Sequence, residues 1–271
     1  MNLLQYTFFQ NALLGSLFVS IACGIVGTYI VTRRLVFISG GITHASFGGI
    51  GLGLYFGVSP ILSAALFSVL SACGVEWLSK RSDMREDSAI AVFWTLGMAL
   101  GIIFSFLSPG FAPDLSSYLF GNVLTITHSD IWLLAGLSVV LIAFFALFFH
   151  PIVSIAFDRE FSRSQGLPVV WFEYTLMMFI ALTIVFSLRL VGIVLAISLL
   201  TIPQMTANLF TMRFQRIIVL SVFIGYASCL GGLVVSYRLN VPSGACIIFC
   251  SILIYALCKV GKTAFIRRKR Q

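Results

Sequence analysis

The octapeptide SGGITHAS (residues 39–46) places one imidazole, three hydroxyls and two glycines in otherwise apolar surroundings, and His44 is one of only three histidines in the chain. A neutral imidazole is a good ligand for borderline divalent metals, and it is equally a group that can hydrogen-bond to a neighbouring helix and fix packing. Both readings stay open from the residues alone. His44 follows Arg34 by ten positions, about 15 Å along a helix, which is near the middle of a hydrocarbon core roughly 30 Å thick. An ionisable group at that depth must face protein or a water-filled path. Steps of three, four and seven residues from His44 bring Phe37, Gly40, Gly41, Gly48 and Gly51 to the same side of such a helix. That face either admits another helix closely or leaves a hollow into which the imidazole projects. Ser39, Thr43 and Ser46 line an adjoining stripe and could hydrogen-bond backbone, water or a passing solute.

Other residue patterns that could do chemistry are weaker. The six cysteines (Cys23, Cys73, Cys229, Cys246, Cys250 and Cys258) all fall in apolar stretches and read as packing residues, although Cys246 and Cys250 share a helical face. ALCKVGKT (residues 256–263) is similar to a phosphate-binding loop, but Ala256 stands where its first glycine belongs and the stretch continues an apolar segment. GGIGLG (residues 48–53) fits no register of the dinucleotide fingerprint. Gly49, Gly53 and Gly57 are spaced by four, as suits closely packed membrane helices. His128 belongs to a polar loop and His150 to the end of a span, so neither is expected to join His44. Asp114 and Asp130 could attract a cation or dock a partner, or be solvated loop carboxylates. No nucleophile with a paired base and no ligand cluster is visible, so no catalytic residue and no tightly bound cofactor is expected.

The elements that must hold His44 in place follow from composition. The 271 residues are 59% hydrophobic and 10% charged, with mean hydropathy +1.06, where a soluble domain carries about 25% charged residues. The chain therefore reads as an all-α membrane protein, one domain over residues 1–271. Nine apolar windows are expected (eight if one is re-entrant), near residues 11–31, 35–56, 60–78, 88–107, 131–150, 171–188, 190–210, 217–236 and 242–258. The first has no basic stretch before it and Arg33 and Arg34 after it, so it reads as a retained helix. With the N-terminus outside, the inner loops collect Arg33, Arg34, Lys80, Arg81, Arg85, Arg159, Arg163, Arg213, Arg216 and the six cations from Lys259 onward. Only Arg189 and Arg238 are left outside. The net charge of +8 is thus a topology signal, with a cytoplasmic C-terminus whose RRKRQ touches lipid, and no nucleic-acid partner is expected.

Two loops exceed simple connections: SPGFAPDLSSYLFGNVLTITHSD (residues 108–130), outside, and FDREFSRSQGLP (residues 157–168), inside. The latter reads as a short helix from Phe157 to Gly166, with Asp158 near its start, Gly166 at its end, and Phe157 and Phe161 on one face. Pro203 interrupts the seventh span and frees backbone carbonyls, a break found where a helix bends or lines a cavity.

Five stretches in order carry a resemblance over nearly the whole chain: VTRRLVFISGGITHASFGGIGLG, EDSAIAVFWTLGMALGII, SYLFGNVLTI, FDREFSRSQGLP and LRLVGIVLAISLLTIPQMTA. The chain resembles the permease subunits of zinc, manganese and iron ABC importers of the bacterial cytoplasmic membrane. The resemblance implies a helical bundle paired about a two-fold axis, metal delivered by an extracytoplasmic binding protein, and drive from two cytoplasmic ATPase subunits. It implies that His44 is a transient metal ligand, with Ser39, Gly40, Thr43 and Ser46 along the route. It also makes residues 157–168, with Phe157, Asp158, Glu160, Phe161 and Gly166, the segment that couples to the ATPase. The family's second span carries an aspartate four residues before the histidine, and Gly40 occupies that position. Loss of a hard oxygen ligand disfavours manganese more than zinc, so zinc is the expected cargo, with manganese and iron behind it. An ion-coupled secondary carrier and a metal-chelate permease are the alternatives. The first would need intramembrane carboxylates, and Glu76 and Glu173 stand only toward span ends.

Overall fold

The computed structural model describes residues 7–81, 84–108, 121 and 126–269. Their backbone closes its hydrogen bonds within helices, the arrangement a chain must adopt where no water is available to satisfy it. In order these are α1 (Thr7–Thr32), α2 (Val36–Phe56), α3 (Pro60–Arg81), α4 (Glu86–Leu107), α5 (His128–Leu147), α6 (Phe149–Phe157), α7 (Arg159–Ser164), α8 (Val169–Leu199), α9 (Ile202–Asn208), α10 (Phe214–Leu239) and α11 (Ser243–Lys269).

Among the described residues, eight segments are long and apolar enough to cross a membrane: Phe9–Thr32, Pro60–Arg81, Glu86–Leu107, His128–Leu147, Val169–Leu188, Leu190–Asn208, Phe214–Leu239 and Ser243–Ala264. The expected windows correspond to these eight plus α2. With 21 residues, α2 reaches about 31 Å, but its glycines and hydroxyls keep it out of the apolar set. It does not need lipid-compatible side chains, because α3, α4 and α8 pack around it. Burial separates centre from edge. The apolar windows of Phe9–Thr32 and Leu190–Asn208 are 72% and 78% buried, whereas those of Glu86–Leu107 and Ser243–Ala264 are each 22% buried.

The expected spans 171–188 and 190–210 correspond to the apolar segments Val169–Leu188 and Leu190–Asn208. Within α8 they are two helical stretches that meet at a kink, and the direction changes at Gly192, whose φ of 72° and ψ of 173° are not helical. Only glycine occupies that region without strain. The backbone of Gly121, itself at φ 61°, lies directly against Val191 and Gly192. The chain then breaks at Leu200 and Thr201, and Pro203 lies in the first turn of α9. Pro203 therefore opens a helix, where its missing N–H costs nothing, and does not kink one. The carbonyl of Leu199 is capped from the side: Gln204 Nε2 donates to it at 3.1 Å and to Cys23 O of α1 at 2.8 Å.

Candidate translocation site

The small residues of α2 do two different jobs. Gly41, Gly48 and Gly51 press against Ile90, Gly97 and Gly101 of α4, and a side chain at Gly97 would meet the backbone of Ala45 at 2.5 Å. Gly49 and Gly53 face Ala64, Ser63 and Pro60 of α3 in the same way. Gly57 does not extend that stripe. It caps α2 with φ 67° and has nothing near its Cβ position, so the run of four-residue spacings ends as a helix terminator.

Gly40 differs from its neighbours. A Cβ there would find only Ile197 Cδ1 at 3.9 Å and Trp94 Cζ3 at 4.0 Å, ordinary contacts that leave room. His44 lies one turn further along this open edge. Its imidazole stacks on the indole of Trp94, with centroids 4.5 Å apart and planes 5° from parallel. Phe37 meets the same indole at 5.9 Å and 49°. His44 Nδ1 is buried without a hydrogen-bond partner among the described residues. Among the described residues Nδ1 thus makes no interhelical hydrogen bond, and the ring is held by its flat face against Trp94.

The hydroxyls expected beside it are fully buried. Ser39 Oγ donates to Val36 O at 2.7 Å, Thr43 Oγ1 to Ser39 O, and Ser46 Oγ to Thr43 O at 2.6 Å. Each proton is thus committed to the backbone of α2. His128 and His150 are exposed and stand on α5 and α6. No group of three or more His, Cys, Asp or Glu residues is arranged to hold a metal among the described residues, and the six cysteines are free.

Asp130 is neither solvated nor presented for docking. It is buried and closes a capping box at the start of α5, its Oδ2 accepting from Thr127 N at 3.0 Å and Thr127 Oγ1 at 2.6 Å. Asp114 and most of the 108–130 loop lie outside the described residues, as does the side chain of Arg189.

The 157–168 segment is also built differently from one short helix. Phe157 is the last residue of α6, Asp158 is extended (φ −146°, ψ 103°), and α7 covers only Arg159–Ser164. Asp158 caps α7 by accepting from Phe161 N at 2.9 Å. Phe157 and Phe161 thus belong to two helices, so helical periodicity does not relate them, yet both are exposed, at 66% and 56%. Glu160 is exposed beside them. Gly166, at φ 76°, ends the segment with Leu167 N donating back to Ser162 O at 3.2 Å.

Beneath α7 lies a cluster that the sequence did not single out. Glu173 of α8 is 2% exposed and takes Lys80 Nζ at 2.7 Å, Arg159 Nε at 3.0 Å and Arg33 Nη2 at 3.3 Å. Lys80 also pairs with Glu76 at 2.6 Å. The i, i+4 spacing of Glu76 and Lys80 was a readable signal. Nothing local pointed to Glu173, whose partners come from three distant parts of the chain. Trp94 was likewise invisible as a partner, because its role depends on how α4 faces α2.

Residues 5–261 match the ABC 3 transport family. The chain belongs to that family: it is a multi-pass permease of the cytoplasmic membrane, of the metal ABC importer type. It is 41% identical to an uncharacterized membrane protein of Synechocystis sp., over 94% of this chain and 90% of the relative. It is 33% identical to the manganese transport system membrane protein MntC of Halalkalibacterium halodurans, over 94% and 88%. The solved structure of PsaBC from Streptococcus pneumoniae in complex with Fab superimposes with a TM-score of 0.84 at 28% identity, covering 94% of this chain and 92% of that one. The ion-coupled carrier reading ends with this membership. The buried carboxylates Glu76 and Glu173, the groups such a carrier would use, are each paired with cations.

Proposed function

We propose that the chain moves a divalent transition metal ion across the cytoplasmic membrane as one of two identical permeases. In this reading an extracytoplasmic binding protein delivers the ion and a separate ATPase chain hydrolyses ATP. The observation that carries it is His44, an imidazole at mid-helix whose buried Nδ1 makes no protein hydrogen bond among the described residues and whose ring is held flat against Trp94. Such a ring is a pre-oriented but weak ligand, suited to passing an ion on, because a complete four-ligand site would trap it. A two-fold pair would bring two copies of His44 to one path. The route follows the Gly40–His44 edge of α2, while Ser39, Thr43 and Ser46 serve the helix backbone.

Manganese is the first cargo to test, on the strength of relatives named for manganese transport at 33% identity. Zinc is the second, because a lone imidazole without the neighbouring aspartate suits a softer ion better. In this reading the N-terminus lies outside and the C-terminus in the cytoplasm. Arg33, Lys80 and Arg159 meet at one end of the bundle, as the inward-facing loops of that topology require. The exposed Phe157–Gly166 segment at that end is the ATPase contact.

The test is uptake of radioactive Mn2+, Zn2+ and Fe2+ by cells lacking their own importers, expressing this chain with its ATPase and binding protein. Uptake of one ion, lost in His44→Ala at equal membrane abundance, is the expected result. Uptake untouched by the substitution would remove His44 from the route.

A further inference from the structure

We infer that Glu173 is a positioning residue that ties the ATPase-facing segment to the helix carrying His44, so that movement of α7 is relayed to α2. The inference rests on the coupling role proposed for α7.

The geometry is that of a joint. Arg159 is the first residue of α7, and its Nε reaches Glu173 at 3.0 Å. Arg33 stands in the turn between α1 and α2, and its guanidinium donates both to Glu173 Oε1 and, at 3.3 Å, to Ile155 O of α6. That turn is tight. Leu35 N donates to Ile30 O at 2.8 Å, and Arg34 takes a positive φ of 60°, which non-glycine residues seldom adopt. A displacement at Arg33 therefore cannot be absorbed as slack and is passed into the start of α2 at Val36, eight residues before His44. Lys80, held by both Glu76 and Glu173, fixes the third wall through α3, which also packs on α2.

A single ion pair would suffice to anchor α8. Three cations from three separate elements on one buried carboxylate form an arrangement in which the ligands can exchange: when Arg159 withdraws with α7, Lys80 and Arg33 remain to hold the charge. Such a group changes partners without being left unpaired, which is the costly state for a buried charge. The second anchor of α7 is weaker: Ser162 Oγ shares a 2.7 Å hydrogen bond with Ser154 Oγ of α6.

The experiment uses the full complex of permease, ATPase and binding protein in proteoliposomes, with Mn2+ as the transported probe, and reads Mn2+ moved per ATP hydrolysed. Wild type is compared with Arg159→Gln, Glu173→Gln, the double variant and Arg159→Lys. The expected result is a fall of about tenfold in that ratio for either single variant, within the usual range of coupling between sites. The double variant is expected to be no worse than Glu173→Gln alone, and Arg159→Lys to recover most of the ratio. A purely structural role would lower the yield of complex and leave the ratio unchanged, and that result overturns the relay, as do additive losses. Should Glu173→Gln fail to insert, the Arg159 pair decides: Arg159 is one-third exposed and its loss leaves Glu173 two cations. The assignment of α7 is checked separately by Phe161→Asp. If that variant loses the ATPase while the Arg159 and Glu173 variants keep a normal ratio, the contact stands and the relay falls. If Phe161→Asp binds ATPase and transports normally, both fall.

Discussion

His44 and Trp94 lie face to face across the contact between α2 and α4, 4.5 Å apart and within 5° of parallel. The pair turns a helix face that is nearly bare of side chains into a site with a fixed direction. The indole borders the open edge at Gly40, 4.0 Å from the Cβ position, and the imidazole rotates only at the cost of that stack.

Removing the indole should therefore weaken ion handling without unfolding the protein. A stacked aromatic pair contributes about 0.5–1.5 kcal/mol, so Trp94→Ala is expected to lower uptake at limiting metal by roughly two- to tenfold, and Trp94→Phe by less. Initial uptake rates over a range of Mn2+ concentrations check this. An unchanged concentration dependence in Trp94→Ala would mean that the stack does not orient the imidazole.

Gly40 tests the missing carboxylate. Its Cβ position is open to 3.9 Å, so Gly40→Asp should insert and fold, and it would set an oxygen ligand one turn before His44. Hard oxygen donors favour manganese over zinc in relative terms, and the expected outcome is a higher ratio of Mn2+ to Zn2+ uptake in mixtures of the two. The contrasting variant is Gly97→Ala, whose new methyl group would meet the Ala45 backbone at 2.5 Å. It is expected to destabilise by about 1–3 kcal/mol through overpacking, seen as a lower thermal midpoint in detergent.

How much of this could be read from the residues differs between neighbours. The membrane spans were plain because apolar length is a one-dimensional signal. The glycine face of α2 was plain because helical geometry alone gathers Gly41, Gly48 and Gly51. Whether that face was packed or hollow was not: Gly41 and Gly40 are adjacent in sequence, yet one is pressed by Ile90 and the other is open. Only the placement of α4 decides between them. Asp130 misled for a related reason, since a loop carboxylate three residues after a threonine reads as solvated until α5 begins at His128 and makes it a cap. The Glu173 cluster was hidden because its cations lie between 14 and 140 residues away in sequence.

Gly192 offers a stability test that is independent of transport. With φ 72° and ψ 173° it holds α8 in a conformation that costs a residue with a Cβ about 1–3 kcal/mol. Gly192→Ala is expected to lower the thermal midpoint by that equivalent. The bend also sets where Ile197 meets the Gly40 edge, so uptake should fall with it. A midpoint equal to wild type would show that the bend relaxes without loss.

The last prediction concerns the surface that α7 presents. Phe161 is 56% exposed on a six-residue helix, too short to be stable unaided, and α7 is held by the Asp158 cap, the Ser154–Ser162 contact and the Arg159–Glu173 pair. None of these anchors uses the Phe161 ring, so Phe161→Asp should leave α7 folded and the permease inserted. A buried aromatic at the centre of an interface is worth about 2 kcal/mol or more, and a carboxylate in its place would also be left desolvated without a partner. The ATPase is therefore expected to dissociate, read as loss of its co-purification with the permease, and uptake to vanish with it. Asp158→Ala attacks the same surface indirectly: it removes the cap at a cost of about 1 kcal/mol and should reduce co-purification only in part. Full association in both variants would leave the exposed phenylalanines facing lipid, and the ATPase contact would have to be sought elsewhere on the inner face.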